Sequence, residues 1–131
     1  MKMLEKHLYD TRFFMEYFYT ADNALLGKLK QELMSAKEKM VSVLTIHEMY
    51  RIDMRYEGRE VAALRSNIIK ADFKNIDVNF QTAVQSAELR TQHQMPMADS
   101  VIAATAQIYG CTLVTDDAHF KGIPNLKTKW V

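Results

Sequence analysis

Apolar residues change their spacing repeatedly along this chain, from short continuous runs to helical periodicity and back, and the changes divide it into elements. Residues 6–10, KHLYD, read as a first strand with Leu8 and Tyr9 as its apolar members and an acid at its end. Phe13, Phe14, Tyr17 and Phe18 then recur at i, i+1, i+4 and i+5, which predicts a helix with an aromatic buried face. Asp22 suits the cap of a second helix, striped by Leu25, Leu26, Leu29, Leu33, Ala36 and Met40, with lysines opposite. The β-prone run 41–44 predicts a second strand leading straight into a helix over 45–56, and Gly58 separates that helix from another carrying Val61, Leu64 and Ile68. Residues 73–78 read as a third strand, followed from Asn79 by a helix turning Phe80, Ala83, Val84 and Ala87 inward, with a loop over 92–95.

The last third has the clearest pattern. Pro96 suits a helix's first turn; Val101, Ile102, Ala104, Ala106 and Ile108 supply its apolar face, and Gly110 closes it. Residues 112–115 are a short β-prone run stopped by Asp116 and Asp117, which favour turns over sheet. Leu126, Thr128 and Trp130 alternate with Lys127 and Lys129, predicting a half-buried fifth strand whose lysine face guards a sheet edge. Strands separated by helices predict an α/β fold: five short, mainly parallel strands with helical crossovers.

Composition adds bounds to this picture. With 131 residues, 48% hydrophobic and 25% charged, and no repeat or linker-like tract, the sequence matches one globular domain over 1–131. A formal charge of +1 from 17 basic and 16 acidic residues means that any nucleic-acid partner is held by a local patch and not by a general basic field. The single cysteine, Cys111, excludes an internal disulfide and a thiolate metal cluster. No run approaches the ~18 apolar residues of a membrane span, and the N-terminus lacks a basic-then-apolar signal pattern, so a cytoplasmic protein without membrane contact is expected.

The chemistry lies in acids at element ends. Parallel strands bring their carboxyl ends to one edge, so Asp10, Glu48 and Asp117 are expected to converge there, joined by Asp99 from a helix's opening turn. Each has a plain alternative: Asp99 complements a helix dipole, Asp117 makes a turn, and Glu48 closes a capping box with Thr45. Four carboxylates in one crevice repel unless a cation neutralises them, and oxygen-only ligation suits Mg²⁺ or Mn²⁺. Arg51 and Arg55 follow Glu48 on the same helix face, a basic ridge that either holds phosphate or is a solvated surface balanced by Asp53, Glu57 and Glu60.

The blocks Tyr9-Asp10-Thr11, 45–48, 97–106 and 113–120, the last two in tandem across Gly110, resemble the PIN domain, a family of metal-dependent ribonucleases that includes VapC-type toxins. The resemblance spans about His7 to Trp130 and implies a three-layer fold with helices on both faces of a five-stranded sheet. On its pattern Asp10, Glu48, Asp99 and Asp117 form the acidic quartet, Thr115 is a supporting hydroxyl, and Asp116 stands where the family often has Asn or another polar residue. Arg12 is a departure, standing where the family carries a small residue such as serine; a guanidinium there can pair with a carboxylate, bind phosphate or compete with metal.

The function implied is Mg²⁺- or Mn²⁺-dependent endoribonucleolysis on single-stranded or looped RNA, with Arg12, Arg51 and Arg55 as candidate phosphate contacts. A cognate antitoxin and a homodimer are the expected protein partners. A processing or quality-control nuclease with no toxin role, or a catalytically weak RNA- or protein-binding module, are the alternatives. His119 is assigned to the turn and not to acid–base work, because a metal-hydroxide route does not require it.

Overall fold

The computed structural model describes residues 5–131; residues 1–4, part of the domain expected over 1–131 and of the N-terminus expected to lack a signal pattern, lie outside the described residues. The chain runs β1 (Lys6–Tyr9), α1 (Thr11–Tyr19), α2 (Asn23–Ser35), β2 (Glu38–Ser42), α3 (Val43–Tyr56), α4 (Arg59–Asp72), β3 (Lys74–Ile76), α5 (Phe80–His93), α6 (Met97–Tyr109), β4 (Thr112–Val114) and β5 (Lys127–Lys129). The strands form one sheet in the order β3-β2-β1-β4-β5, and every neighbouring pair is parallel.

Strand alternation separates two cores. Leu8, Met40, Ile76 and Leu113 face one side, where Leu89, Ile102, Ala103 and Ala106 of α5 and α6 cover them. Tyr9, Val41 and Val114 face the other, against Phe13, Phe14, Leu29, Met49 and Ile69 of α1 to α4. One-residue steps along each strand thus supply both layers, the period-2 rule applied to a sheet buried on both faces. The aromatic face read from Phe13, Phe14, Tyr17 and Phe18 is present, with the Phe13 and Tyr9 ring centroids 4.7 Å apart.

Local chemistry sets the boundaries. Asp22 caps α2 by accepting from the Ala24 and Leu25 amides at 2.9 and 3.2 Å. Gly110 ends α6 in the left-handed region, φ 65°, which a residue without Cβ adopts freely. Ser42 ends β2 and caps α3 through the Leu44 amide at 3.1 Å, so no loop separates strand from helix.

Several expected details differ. Met40 belongs to β2 and not to the α2 stripe, because Ala36 already leaves the helix in an extended conformation. Phe80, Ala83, Val84 and Ala87 face outward, with Phe80 85% exposed, while α5 buries Thr82, Ser86 and Leu89 as it packs along α6. In α4, Leu64 and Ile68 are exposed and Ala62 and Ile69 are buried. At the sheet edge Lys129 does not simply guard: its Nζ lies 2.6 Å from Glu32 Oε1, and Glu32 Oε2 also receives Tyr9 Oη at 2.7 Å and His7 Nδ1 at 2.8 Å. This buried cluster ties α2 to β1 and β5. Asp53, read as balancing a solvated ridge, is buried and accepts hydrogen bonds from Tyr19 and Arg65, joining α1, α3 and α4.

Candidate active site

β1 sits between β2 and β4, so the chain leaves it towards one side and returns later on the other, and a crevice opens where these connections part. Asp10, the first residue after β1, is buried there, its amide bonded to the Val114 carbonyl at 3.2 Å. Thr115, the first residue after β4, donates its hydroxyl to Asp10 Oδ2 at 2.8 Å and accepts the Asp117 amide at 3.1 Å. One hydroxyl therefore orients two acids of the site. Asp117 in turn accepts the His119 amide at 2.9 Å and opens the short 3-10 turn Ala118–Phe120, which buried Phe120 anchors.

The other two acids arrive from helices. Glu48 projects from the second turn of α3, and the Thr11 hydroxyl of α1 donates to its Oε1 at 2.6 Å. Asp99 is the third residue of α6, whose amino end faces the same crevice. Asp10, Glu48, Asp99 and Asp117 line one cleft of about 520 Å³ together with Arg12 and Arg51.

The charges in this cleft are frustrated. Burial pushes the Asp10 carboxyl up to about 6, against the hydrogen bonds from Thr115 and Thr11 that favour its ionised form, and the charges of Asp99 and Glu48 push the same way as burial. Asp99 is also raised, by burial and then by the charge of Asp117, with His119 opposing. The set offers hard oxygen donors whose mutual repulsion a divalent cation would relieve, so the side chains fit a Mg²⁺- or Mn²⁺-sized ion. Among the described residues, Asp99, Asp117 and His119 hold candidate ligand atoms all within 4.8 Å of one another.

Glu48 does not close a capping box with Thr45: α3 begins two residues earlier than the sequence suggests, Ser42 holds the cap, and Glu48 is left free to point into the cleft. Arg12 lines the same cleft but commits its guanidinium to Asp116, Nε to Oδ1 at 3.0 Å and Nη2 to Oδ2 at 3.2 Å. The predicted ridge divides: Arg51 lines the cleft, whereas Arg55 lies against the Tyr56 ring, 5.8 Å from its centroid, and does not line it. One side chain escaped the sequence reading: Thr11 carries a signal only in its place beside Asp10. His119, expected in the turn, lies in the 3-10 turn, and its ring Nδ1 is also 2.9 Å from Asp99 Oδ2 and 3.1 Å from Asp117 Oδ1.

A fully parallel α/β sheet with four acids around the crevice at its switch point defines an acid-lined α/β fold. The PIN domain family model matches residues 8–126, and the chain belongs to that family. No curated protein matches the sequence. Among solved structures, VapBC2 of Rickettsia felis, bound to a DNA fragment from its promoter, is 20% identical with a TM-score of 0.79, covering 95% of this chain and 98% of that one. A toxin–antitoxin complex from Klebsiella pneumoniae is 24% identical with a TM-score of 0.75, covering 92% and 95%. VapC20 of Mycobacterium tuberculosis, described as a sarcin–ricin loop cleaving toxin, is 19% identical with a TM-score of 0.74, covering 93% and 99%. At these identities the likeness establishes the fold.

Proposed function

We propose that this protein is a Mg²⁺- or Mn²⁺-dependent endoribonuclease of the VapC kind, acting on single-stranded or looped RNA and held in check by a cognate antitoxin. The observation that carries the reading is the meeting of Asp10, Glu48, Asp99 and Asp117 in one cleft, from four separate stretches of sequence. Structures of VapBC complexes among the similar folds, and VapC20 as a sarcin–ricin loop cleaving toxin, support both the antitoxin partner and the RNA substrate. Acting on cellular RNA, the protein works in the cytoplasm, and no described helix is long and apolar enough to cross a membrane.

In this reading Asp10, Asp99 and Asp117 would hold the ion, and Glu48 would join them or orient the attacking water. The chemistry supplied at that position would be a lowered pKa of water and stabilisation of charge developing on the phosphodiester. Thr115 keeps Asp10 in place through its 2.8 Å hydrogen bond, and Thr11 does the same for Glu48 at 2.6 Å. Arg51, on the same wall as Glu48, holds a flanking phosphate. Arg12 stiffens the turn through Asp116, leaving the quartet unpaired by its guanidinium. Self-association belongs to the same proposal, with the exposed Phe80 and Val84 of α5 as a candidate contact.

Incubating the pure protein with structured RNA in Mg²⁺, Mn²⁺ or EDTA tests the reading. Cleavage that appears with either ion and vanishes in EDTA is expected. RNA left intact under all three conditions would count against catalysis and favour a binding module.

A further inference from the structure

We propose that His119 is a metal ligand that biases this cleft towards Mn²⁺ over Mg²⁺, an inference that rests on the metal-dependent reading above. Its Nδ1 lies 2.9 Å from Asp99 Oδ2 and 3.1 Å from Asp117 Oδ1, in a cluster whose three candidate ligand atoms all fall within 4.8 Å. One cation fits among them. The ring is 58% exposed, so packing does not account for its placement.

The backbone fixes this arrangement. The His119 amide donates to Asp117 Oδ1 at 2.9 Å, and the next residue, Phe120, is 2% exposed and anchors the turn in the core. Asp117 Oδ1 thus receives the backbone of the same residue whose ring faces it. The turn presents an imidazole nitrogen beside two carboxylate oxygens, a mixed donor set and not an all-oxygen one.

Donor chemistry then sets preference. Mg²⁺ is a hard ion that keeps oxygen ligands and several waters, whereas Mn²⁺, though it too suits carboxylate oxygen, is a first-row transition ion that takes an imidazole nitrogen more readily than Mg²⁺ does. Asp10, Glu48, Asp99 and Asp117 alone would hold both ions; the nitrogen favours Mn²⁺. Of the chain's four histidines, His47 lines the cleft itself, whereas His119 reaches two of its acids from the 3-10 turn, so His47 is the necessary control.

Pulsed EPR on Mn²⁺-loaded protein reads directly bound nitrogen without reference to activity, and titration calorimetry gives the affinities of both ions. The expected result is ¹⁴N coupling in the parent and in His47→Ala, lost in His119→Ala. Mn²⁺ affinity should fall on the order of tenfold in His119→Ala, with Mg²⁺ affinity changed less, and His119→Asp should restore binding without the nitrogen signal. Mn²⁺ bound with no nitrogen coupling, or coupling that survives in His119→Ala, overturns the proposal and leaves the metal-dependent reading intact. Failure of Mn²⁺ to bind the parent removes both.

Discussion

Arg12 and Asp116, 104 positions apart in sequence, meet in a two-pronged pair at 3.0 and 3.2 Å. The guanidinium is thereby committed to an acid other than Asp10, Glu48, Asp99 and Asp117. Asp116 is held low by Arg12, and Arg12 is held charged by Asp116. Both side chains are about a third or more exposed, so the pair contributes less than about 1 kcal/mol.

The adjacent acids should therefore separate by function. Asp116→Asn is expected to leave RNA cleavage within a few-fold of the parent, and Asp117→Asn to reduce it by two orders of magnitude or more, on the order of losses from removing a preorganised catalytic group. Cleavage assays at saturating Mn²⁺ measure the difference. An equal loss in both variants would assign the effect to the turn as a whole.

Metal should stabilise the fold, because it neutralises carboxylates that repel one another. At ~100 times its dissociation constant Mn²⁺ adds about 2.7 kcal/mol. Asp117→Asn should shrink that gain and raise the melting temperature of the metal-free protein, since one repulsive charge is gone. Melting curves in EDTA and in Mn²⁺ would reveal both effects, and an unchanged curve at millimolar Mn²⁺ argues against the site.

The pH dependence follows from Asp10, raised from 3.8 to about 6 chiefly by burial. A folded-state pKa above the unfolded one means that the native protein holds the proton more tightly. The resulting stabilisation is full below about pH 4 and is lost as pH rises through about 6. Asp99, also raised, adds to the same trend. Glu32, held low mainly by Lys129, Tyr9 and His7 despite its burial, works oppositely and loses its contribution as pH falls below its ordinary range. Metal-free melts between about pH 5 and 7 should thus show a decline that Asp10→Asn flattens, while Mn²⁺ affinity rises over the same interval because ligation needs the carboxylate.

Arg51 and Arg55 share a helix but not a surroundings, and RNA binding should tell them apart. Arg51→Ala is expected to reduce the slope of log affinity against log salt by about 0.7, the value for one phosphate contact on a single strand. Arg55→Ala should leave it unchanged. Two equal decreases would extend the RNA path beyond the cleft.

The Glu32 cluster is expected to matter for stability alone, since none of Glu32, His7, Tyr9 and Lys129 lines the cleft. Breaking a fully buried pair costs about 3–5 kcal/mol. With Lys129 38% exposed, Glu32→Ala should cost less, about 2–3 kcal/mol. A lowered urea midpoint with unchanged cleavage per folded molecule is the predicted outcome.

Residue order alone determined the succession of five strands and their helices, the ends of α6, and the acids that terminate β1 and follow β4. These are local matters: a run such as Thr112-Leu113-Val114, bounded by Gly110 and by Asp116-Asp117, contains its own start and stop signals. What tertiary structure decided was direction. Glu48 became a cleft residue because Ser42, and not Thr45, capped α3, a choice made by where β2 releases the chain. The apolar stripe of α5 turned outward while Thr82, Ser86 and Leu89 turned inward against α6, since the periodicity of one helix does not specify which neighbour it meets. Arg12 found Asp116, Lys129 found Glu32, and His119 found Asp99 across separations of 104, 97 and 20 positions. Such pairings arise when the sheet brings distant segments together, and no periodicity within any one segment encodes them.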